Sequence, residues 1–220
     1  IGAAVCRRAA KEGYSVAVNF HRDLISANYV VDDITNDGGI AFTVQADVSL
    51  EADIIRMFDE VTERLGAPSG LVNSAGVGGK HMLISDFEKI ELDQLMQVNV
   101  IGTMLCCREA SRRMSTQFGG SGGSIVNVSS MASTIGGRPG NSAYAASKAA
   151  VDAFTVGFAK EIGTQGIRVN AVRPGVTLTD MTSTVRDNEN VRKNIESTIA
   201  MQRTADADEI AVPILWCLSD

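Results

Sequence analysis

The order of strand-like and helix-like segments is the feature that most limits what this chain can fold into. Short apolar runs rich in Val, Ile and Phe alternate with longer segments whose apolar residues recur with a helical period. The predicted strands are residues 14–20, 41–46, 70–73, 124–128 and 167–172, and the predicted helices are residues 3–12, 24–36, 51–65, 92–114, 144–161 and 208–218. Such alternation implies a parallel sheet covered by helices on both faces. The 220 residues therefore predict one α/β domain, residues 1–220, with a doubly wound sheet.

Charge and composition exclude several classes of function. The 20 basic and 26 acidic residues give a net charge of −6 without a basic cluster, which argues against a nucleic-acid partner. We find no apolar run near the roughly 20 residues of a membrane span and no signal-peptide pattern. The four cysteines lack zinc spacing and only two histidines are present, so we expect no metal site and reduced thiols in a cytoplasmic protein.

The stretch from Ser124 to Lys148 combines a strand, a Gly-rich loop and the start of a helix. Tyr144 and Lys148 are four residues apart, so they lie on one face of that helix. A Tyr side chain is a poor acid or base at its usual pKa of about 10 and needs a nearby cation to stabilise its phenolate. A Ser hydroxyl at the strand end would complete a three-group site for proton transfer.

This arrangement resembles the short-chain dehydrogenase/reductases, whose sheet is Rossmann-like. The resemblance implies that Tyr144 transfers a proton, that Ser130 holds the substrate oxygen, and that Lys148 lowers the Tyr144 pKa and grips the nicotinamide ribose. The interval from Ser130 to Tyr144 is one residue longer than usual in the family, so Ser133 is a second candidate. Asn99 would fix a water in the proton relay, and a purely local role for its buried amide is compatible with that.

Further segments resemble the cofactor-binding motifs of the same family. They are Asn73-Ser74-Ala75-Gly76 after the third strand, Asp47-Val48 after the second, and Pro174-Gly175 with its following threonines after the fifth. Taken singly, each is also explained as an ordinary turn or helix cap. The resemblance implies cofactor contacts at Ile1, Gly2, Asp47, Val48, Asn73, Ala75, Gly76, Tyr144, Lys148, Pro174, Gly175, Thr177 and Thr179.

The end of the first predicted strand bears on the choice between the two nicotinamide cofactors. An acidic residue there would bind the ribose 2′-hydroxyl and exclude a 2′-phosphate. The strand instead ends Asn19-Phe20-His21-Arg22, and the Arg22 guanidinium suits a phosphate. We therefore expect NADP(H) rather than NAD(H), with solvated loop residues as the alternative interpretation.

The resemblance also sets expectations for the whole molecule. Individual motifs are closest to sugar-dehydrogenase-like and 3-oxoacyl-carrier-protein-reductase-like members, which act on a small carbonyl or alcohol. Substrate choice would lie in residues 131–142 and in a polar excursion, residues 177–204. Family members are usually homodimers or homotetramers built through the helices of Asn99 and Tyr144.

The ends of the chain differ from the family pattern. Only Ile1-Gly2 remains of the glycine-rich phosphate loop, and the family's first and last strands are missing. We expect an incomplete record of a longer enzyme, in which the strands flanking the missing central one are unpaired. The alternatives are a dinucleotide-binding redox sensor without catalysis and an inactive truncated fragment.

Overall fold

A computed structural model describes residues 1–219. Its strands are β1 Val16–Phe20, β2 Ala41–Gln45, β3 Gly70–Asn73, β4 Gly123–Val128 and β5 Ile167–Val172. Its helices are α1 Gly2–Lys11, α2 Leu24–Asn36, α3 Glu51–Leu65, α4 Lys89–Met96, α5 Thr103–Met114, α6 Ala132–Ile135, α7 Ser142–Ile162, α8 Ser183–Asp187, α9 Glu189–Glu196 and α10 Ala207–Leu218. Every predicted strand is present, the predicted helices are present with one of them divided, and the α/β prediction is confirmed.

All strand pairs are parallel, in two separate groups. β1 pairs with β2, while β3, β4 and β5 form a second sheet in that order. Neither β1 nor β3 has a described strand on its other edge. The predicted unpaired edges are therefore found as expected.

Two apolar cores, one on each face, hold the two sheets together. Alternate residues of a strand point to opposite faces, and β4 shows this directly. Ile125 lies in the core beneath α3, α5 and α7, whereas Val126 and Val128 lie in the core beneath α1, α2 and α10. Each core also takes residues from β1 or β2, so the arrangement is a three-layer, Rossmann-like fold.

Local chemistry explains where two of the helices start. Asp23 accepts a hydrogen bond from the Ser26 amide at 2.9 Å and so caps α2. α10 starts with a capping box between Asp206 and Glu209. No helix within residues 1–219 is long and apolar enough to cross a membrane.

Two segments differ from the sequence prediction. The predicted helix 92–114 is α4 and α5 joined by a π-helical segment, Gln97–Gly102, in which Asn99 is buried. The excursion 177–204 is polar and weakly periodic, yet it contains α8 and α9, whose short lengths hide their period from sequence analysis. Hydrogen bonds from Leu178 N to Ala205 O at 2.9 Å and from Ala205 N to Val176 O at 3.0 Å close its base.

Candidate active site

The carboxyl ends of β3, β4 and β5 bring together the loops that carry most of the predicted site residues. In register, Asn73 lies beside Asn127 and Val128 beside Val172, so the three strands end at nearly one level. The loops after β4 and β5 stay joined beyond the strands, since Met131 N donates to Pro174 O at 2.9 Å. Ligand sites in open α/β sheets lie at this edge.

Lys148 is buried beneath this edge, with 6% of its surface exposed. Its Nζ donates to Val128 O at 2.9 Å and lies 5.9 Å from the centre of the Tyr144 ring. Burial disfavours the charged form and lowers the Lys148 pKa to about 8, although the charge of Asp152 acts in the opposite direction. At neutral pH the Lys148 amine is therefore mostly protonated, but its pKa lies only slightly above that pH. The amine is held beside the Tyr144 ring.

Tyr144 is half-buried on the first turns of α7, and its hydroxyl faces the side chain of Ser130. Burial raises the Tyr144 pKa, and the nearby Ser130 hydroxyl, which accepts from Ala132 N at 3.1 Å, offsets part of that rise. Ser133 instead donates its hydroxyl to Ser130 O at 2.7 Å. The geometry therefore favours Ser130 over Ser133 as the hydroxyl beside Tyr144.

Asn99 is fully buried and joins the loop after β3 to α7. Its side-chain oxygen accepts from Val77 N at 2.8 Å, and its Nδ2 donates to Val77 O at 2.9 Å and to Ser147 Oγ at 3.0 Å. A Cβ on Gly76 would lie 3.2 Å from that oxygen and 3.5 Å from Lys148 Nζ. Gly76 therefore packs closely against both polar groups, and Asn99 fixes the loop that carries it.

Asn73 is placed differently from the other predicted cofactor contacts. Its Nδ2 donates to Asn127 Oδ1 at 2.9 Å and contacts Cys107 Sγ at 3.3 Å. Asn127 in turn donates to Thr155 Oγ1 at 2.9 Å, so a buried polar chain crosses from β3 to α7. The amide of Asn73 is engaged inside the sheet, which leaves its backbone for a ligand, while Ala75 lies in the following loop beside Gly76.

The start of α1 lies against the loop after β3. A Cβ on Gly2 would be 3.4 Å from Ser74 Oγ, and Ile1 is the N-cap residue. The free amides of a helix N-terminus attract phosphate groups. Ile1 and Gly2 are therefore placed to meet a pyrophosphate bound across this edge.

The loop after β2 is fixed by Asp47. Its carboxylate accepts from the amide and hydroxyl of Ser49 at 2.9 and 2.7 Å and lies 3.3 Å from His21 Nε2. Burial alone would raise the Asp47 pKa, but the Ser49 hydrogen bonds and His21 outweigh it and lower the pKa. Val48 packs against the π segment, because a Cβ on Gly102 would lie 2.5 Å from Val48 O.

Arg22, two residues after β1, is exposed and makes no hydrogen bond or ion pair with residues 1–219. Its guanidinium is available to a ligand, in contrast to that of Arg56, which donates to Gln45 O at 2.9 Å. A guanidinium without a described partner is a group that can pair with a phosphate.

The segment after β5 uses its threonines locally. Thr177 is buried and donates to Gly175 O at 3.2 Å, next to Pro174. Thr179 forms a capping box with Thr182 around the turn Asp180–Thr182. The Thr179 hydroxyl therefore has a structural partner already, and the backbone of this segment forms the rim of the site.

Sequence reasoning gave no role to several residues that touch the site. Ser129 Oγ donates to Lys148 O at 3.1 Å, and Arg173 Nε donates to Asp152 Oδ2 at 2.8 Å. The spacing of four between Lys148 and Asp152 would have placed both on one helical face. The partnership with Arg173 depends on how β5 packs against α7 and has no sequence signal.

Comparisons with known proteins show the family of the chain. A family model described as enoyl-(acyl carrier protein) reductase matches residues 1–220. The uncharacterized oxidoreductase YgfF of Escherichia coli K12 is 42% identical over 100% of this chain and 89% of YgfF. The 3-oxoacyl-(acyl-carrier-protein) reductase FabG of Staphylococcus aureus Mu50 is 33% identical over 100% of this chain and 87% of FabG.

A solved structure of another protein has a similar fold and contains a bound nucleotide. The short chain dehydrogenase from Burkholderia cenocepacia J2315 in complex with NADP has a TM-score of 0.90 and 32% identity, over 100% of this chain and 86% of that chain. The chain belongs to the short-chain dehydrogenase/reductase family. The resemblance seen in the sequence is thereby confirmed, and the protein is an oxidoreductase of the kind that uses a nicotinamide cofactor.

Proposed function

We propose that this protein is an NADP(H)-dependent reductase that interconverts a small ketone or aldehyde and its alcohol. The observation that carries the proposal is the convergence of three groups: the Tyr144 hydroxyl faces Ser130, and the buried Lys148 amine lies behind the Tyr144 ring. Two neighbouring hydroxyls beside a cation suit a carbonyl oxygen that gains negative charge during reduction.

The residues of the chain fit a bound dinucleotide. Gly76 lacks the Cβ that would press on Asn99 and Lys148, the α1 N-terminus lies against Ser74, and Arg22 has no described partner. When bound, the nicotinamide supplies or accepts the hydride. Lys148 and the loop around Gly76 would hold its ribose, and Arg22 would hold a 2′-phosphate.

Proton transfer is the part that the protein performs. Tyr144 gives its proton to the carbonyl oxygen in reduction, while Ser130 donates a hydrogen bond that holds the same oxygen. The charge of Lys148 stabilises the Tyr144 phenolate that remains. Asn99 keeps the loop after β3 at a fixed distance from Lys148, as its two bonds to Val77 indicate.

The first test combines kinetics with a minimal substitution. Tyr144→Phe removes only the phenol oxygen, so we expect NADPH-dependent reduction of 2,3-butanedione or ethyl acetoacetate to fall by about 10²- to 10⁴-fold. Tyr29→Phe, at an exposed position of α2, is the matched control and should keep wild-type activity. Retention of full activity by Tyr144→Phe would contradict the assignment.

The cofactor proposal has its own test. In calorimetric titrations we expect Arg22→Ala to weaken NADPH binding by about 10- to 100-fold, since a charge-assisted phosphate contact is lost, and to leave NADH binding unchanged. Lys160→Ala, an exposed cation on α7, is the control. Equal losses of affinity for NADPH and NADH would show that Arg22 does not recognise the 2′-phosphate.

The description of the family model favours a second candidate, reduction of a carbon–carbon double bond conjugated to a thioester. Parallel assays with crotonyl and acetoacetyl thioesters distinguish the two activities. We further propose that the protein is a homodimer or homotetramer and that it is cytoplasmic. Both proposals rest on the family resemblance.

A further inference from the structure

Asp152 lies one turn after Lys148 on α7, on the side of the helix that faces the loop ends. Its side chain is only 13% exposed, and its Oδ2 accepts from Arg173 Nε at 2.8 Å. Arg173 directly precedes Pro174-Gly175. This ion pair therefore links the helix of Tyr144 and Lys148 to the loop after β5.

The other side of the carboxylate meets the loop after β4. The hydroxyls of Ser129 and Ser133 flank it, and they donate to Lys148 O at 3.1 Å and to Ser130 O at 2.7 Å. Asp152 Oδ1 accepts no hydrogen bond within residues 1–219, so the two hydroxyls lie near the carboxylate without donating to this oxygen. The carboxylate thus lies at the meeting point of three segments that carry Ser130, Lys148 and the Pro174 loop.

Asp152 is ionised at neutral pH. Burial by itself raises its pKa, but the contacts with Ser133, Arg173 and Ser129 outweigh burial, so the pKa lies below the usual range of a carboxyl group. Its negative charge raises the pKa of Lys148, against the larger lowering caused by burial.

The charged surroundings of Lys148 are otherwise sparse. On α7 the titratable neighbours are the neutral Tyr144 and the charged Asp152, and from the end of β5 Arg173 approaches, behind Asp152. β4, the π segment and the loop after β3 present uncharged groups, namely Val128 O, Asn99 and Gly76. Within residues 1–219, Asp152 is thus the acidic group placed to support the charge of Lys148.

We propose that Asp152, held in place by Arg173, is a positioning residue that keeps Lys148 charged and ties the helix that carries Lys148 to the loop after β5. The inference deepens the proposed function and rests on it. It assigns a role to two residues outside the Ser130, Tyr144 and Lys148 set.

The test measures Lys148 directly, without turnover. In protein labelled with ¹³C at lysine Cε, the Lys148 signal is identified by its loss in Lys148→Met and is titrated by NMR. Asp152→Asn removes the negative charge, so we expect the Lys148 titration to move down by about half to one pH unit. Arg173→Gln removes the positive charge that neutralises Asp152, so we expect a smaller upward movement.

Opposite shifts in the two variants are the signature of an electrostatic role, because a merely structural disturbance would not change sign. In NADPH-dependent reduction of ethyl acetoacetate, the alkaline limb of kcat against pH should move in the same two directions, with kcat of Asp152→Asn reduced about tenfold or more and KM nearly unchanged. Asp32→Asn, at an exposed position of α2, is the matched control.

Shifts below about 0.2 pH unit in both variants, or shifts of the same sign, would overturn the inference. If Asp152→Asn does not fold, the Arg173→Gln titration decides, since Arg173 is half-exposed and its carboxylate partner remains. A different result would refute the proposed function itself, namely full activity of the Tyr144→Phe variant.

Discussion

At the scale of single residues, Lys148 shows how function and stability oppose each other. The same burial that places its amine behind Tyr144 lowers its pKa from 10.5 to about 8. Below pH 8 the folded protein holds a charge that water would solvate better, and a hydrogen bond to Val128 O compensates only partly. Protonated Lys148 therefore costs folding free energy at neutral pH.

We accordingly expect Lys148→Met to abolish reduction and yet to stabilise the fold at pH 7. A pKa lowered by this amount corresponds to at most about 3 kcal/mol, and the unpaired Val128 carbonyl costs about 1 kcal/mol, so a net gain of about 1 to 2 kcal/mol remains. Urea unfolding measures it, with the exposed Lys160→Met as control.

The pH dependence of that gain has a definite sign. Between pH 8 and 10.5 the unfolded wild type binds more protons at this lysine than the folded one, so wild-type stability rises with pH and the advantage of Lys148→Met disappears. The half-buried Cys6 and the buried Cys106 and Cys107 act oppositely, because burial raises their thiol pKa values to about 11 or 12. The comparison is therefore made between the two proteins at each pH. An advantage that grows above pH 8 would contradict the argument.

At the scale of elements, the π segment Gln97–Gly102 determines how the long helix meets the site. It turns Asn99 toward Val77 and brings Gly102 against the loop after β2. Extra residues of this kind in a helix often occur at functional sites. Here the π segment holds two loops, the loop after β3 through Asn99 and the loop after β2 through Gly102.

We expect Gly102→Ala to destabilise the protein by about 1 to 3 kcal/mol, because its Cβ would lie 2.5 Å from the Val48 carbonyl and the backbone has to move. Thermal unfolding measures the loss, and calorimetry should show weaker NADPH binding. Gly157→Ala on α7 is the matched control: nothing lies within 4 Å of its new Cβ, and a stabilisation of about 0.5–1 kcal/mol is expected. Similar melting temperatures for both variants would contradict the prediction, because they would show that the loop after β2 moves away from the new Cβ at little cost in stability.

At the scale of the whole molecule, exposed apolar side chains mark the helices expected to meet a second copy. Ile101 of the π segment is 40% exposed and Val156 of α7 is 56% exposed. Apolar groups exposed on the two helices that carry Asn99 and Tyr144 agree with the family's usual assembly through those helices.

We expect the wild type to sediment as a homodimer or homotetramer, and the double variant Ile101→Lys, Val156→Lys to sediment as a smaller species. Two charges placed in an apolar contact lose solvation without gaining a partner. Ile25→Lys, at an exposed position of α2, is the control and should leave the assembly intact. A wild-type monomer in sedimentation velocity would refute the expectation.

The sequence by itself determined the α/β class, the order of the elements, and the placement of Tyr144 and Lys148 on one face of a helix. Those features follow from local periodicity and from spacing along one helix, which neighbouring residues fix. Only the tertiary structure decided that Ser130 rather than Ser133 faces Tyr144, that Asn73 points into the sheet, and that Arg173 holds Asp152 behind Lys148. These depend on contacts between distant segments and on burial, and burial changes a side chain's pKa without leaving a pattern in the sequence.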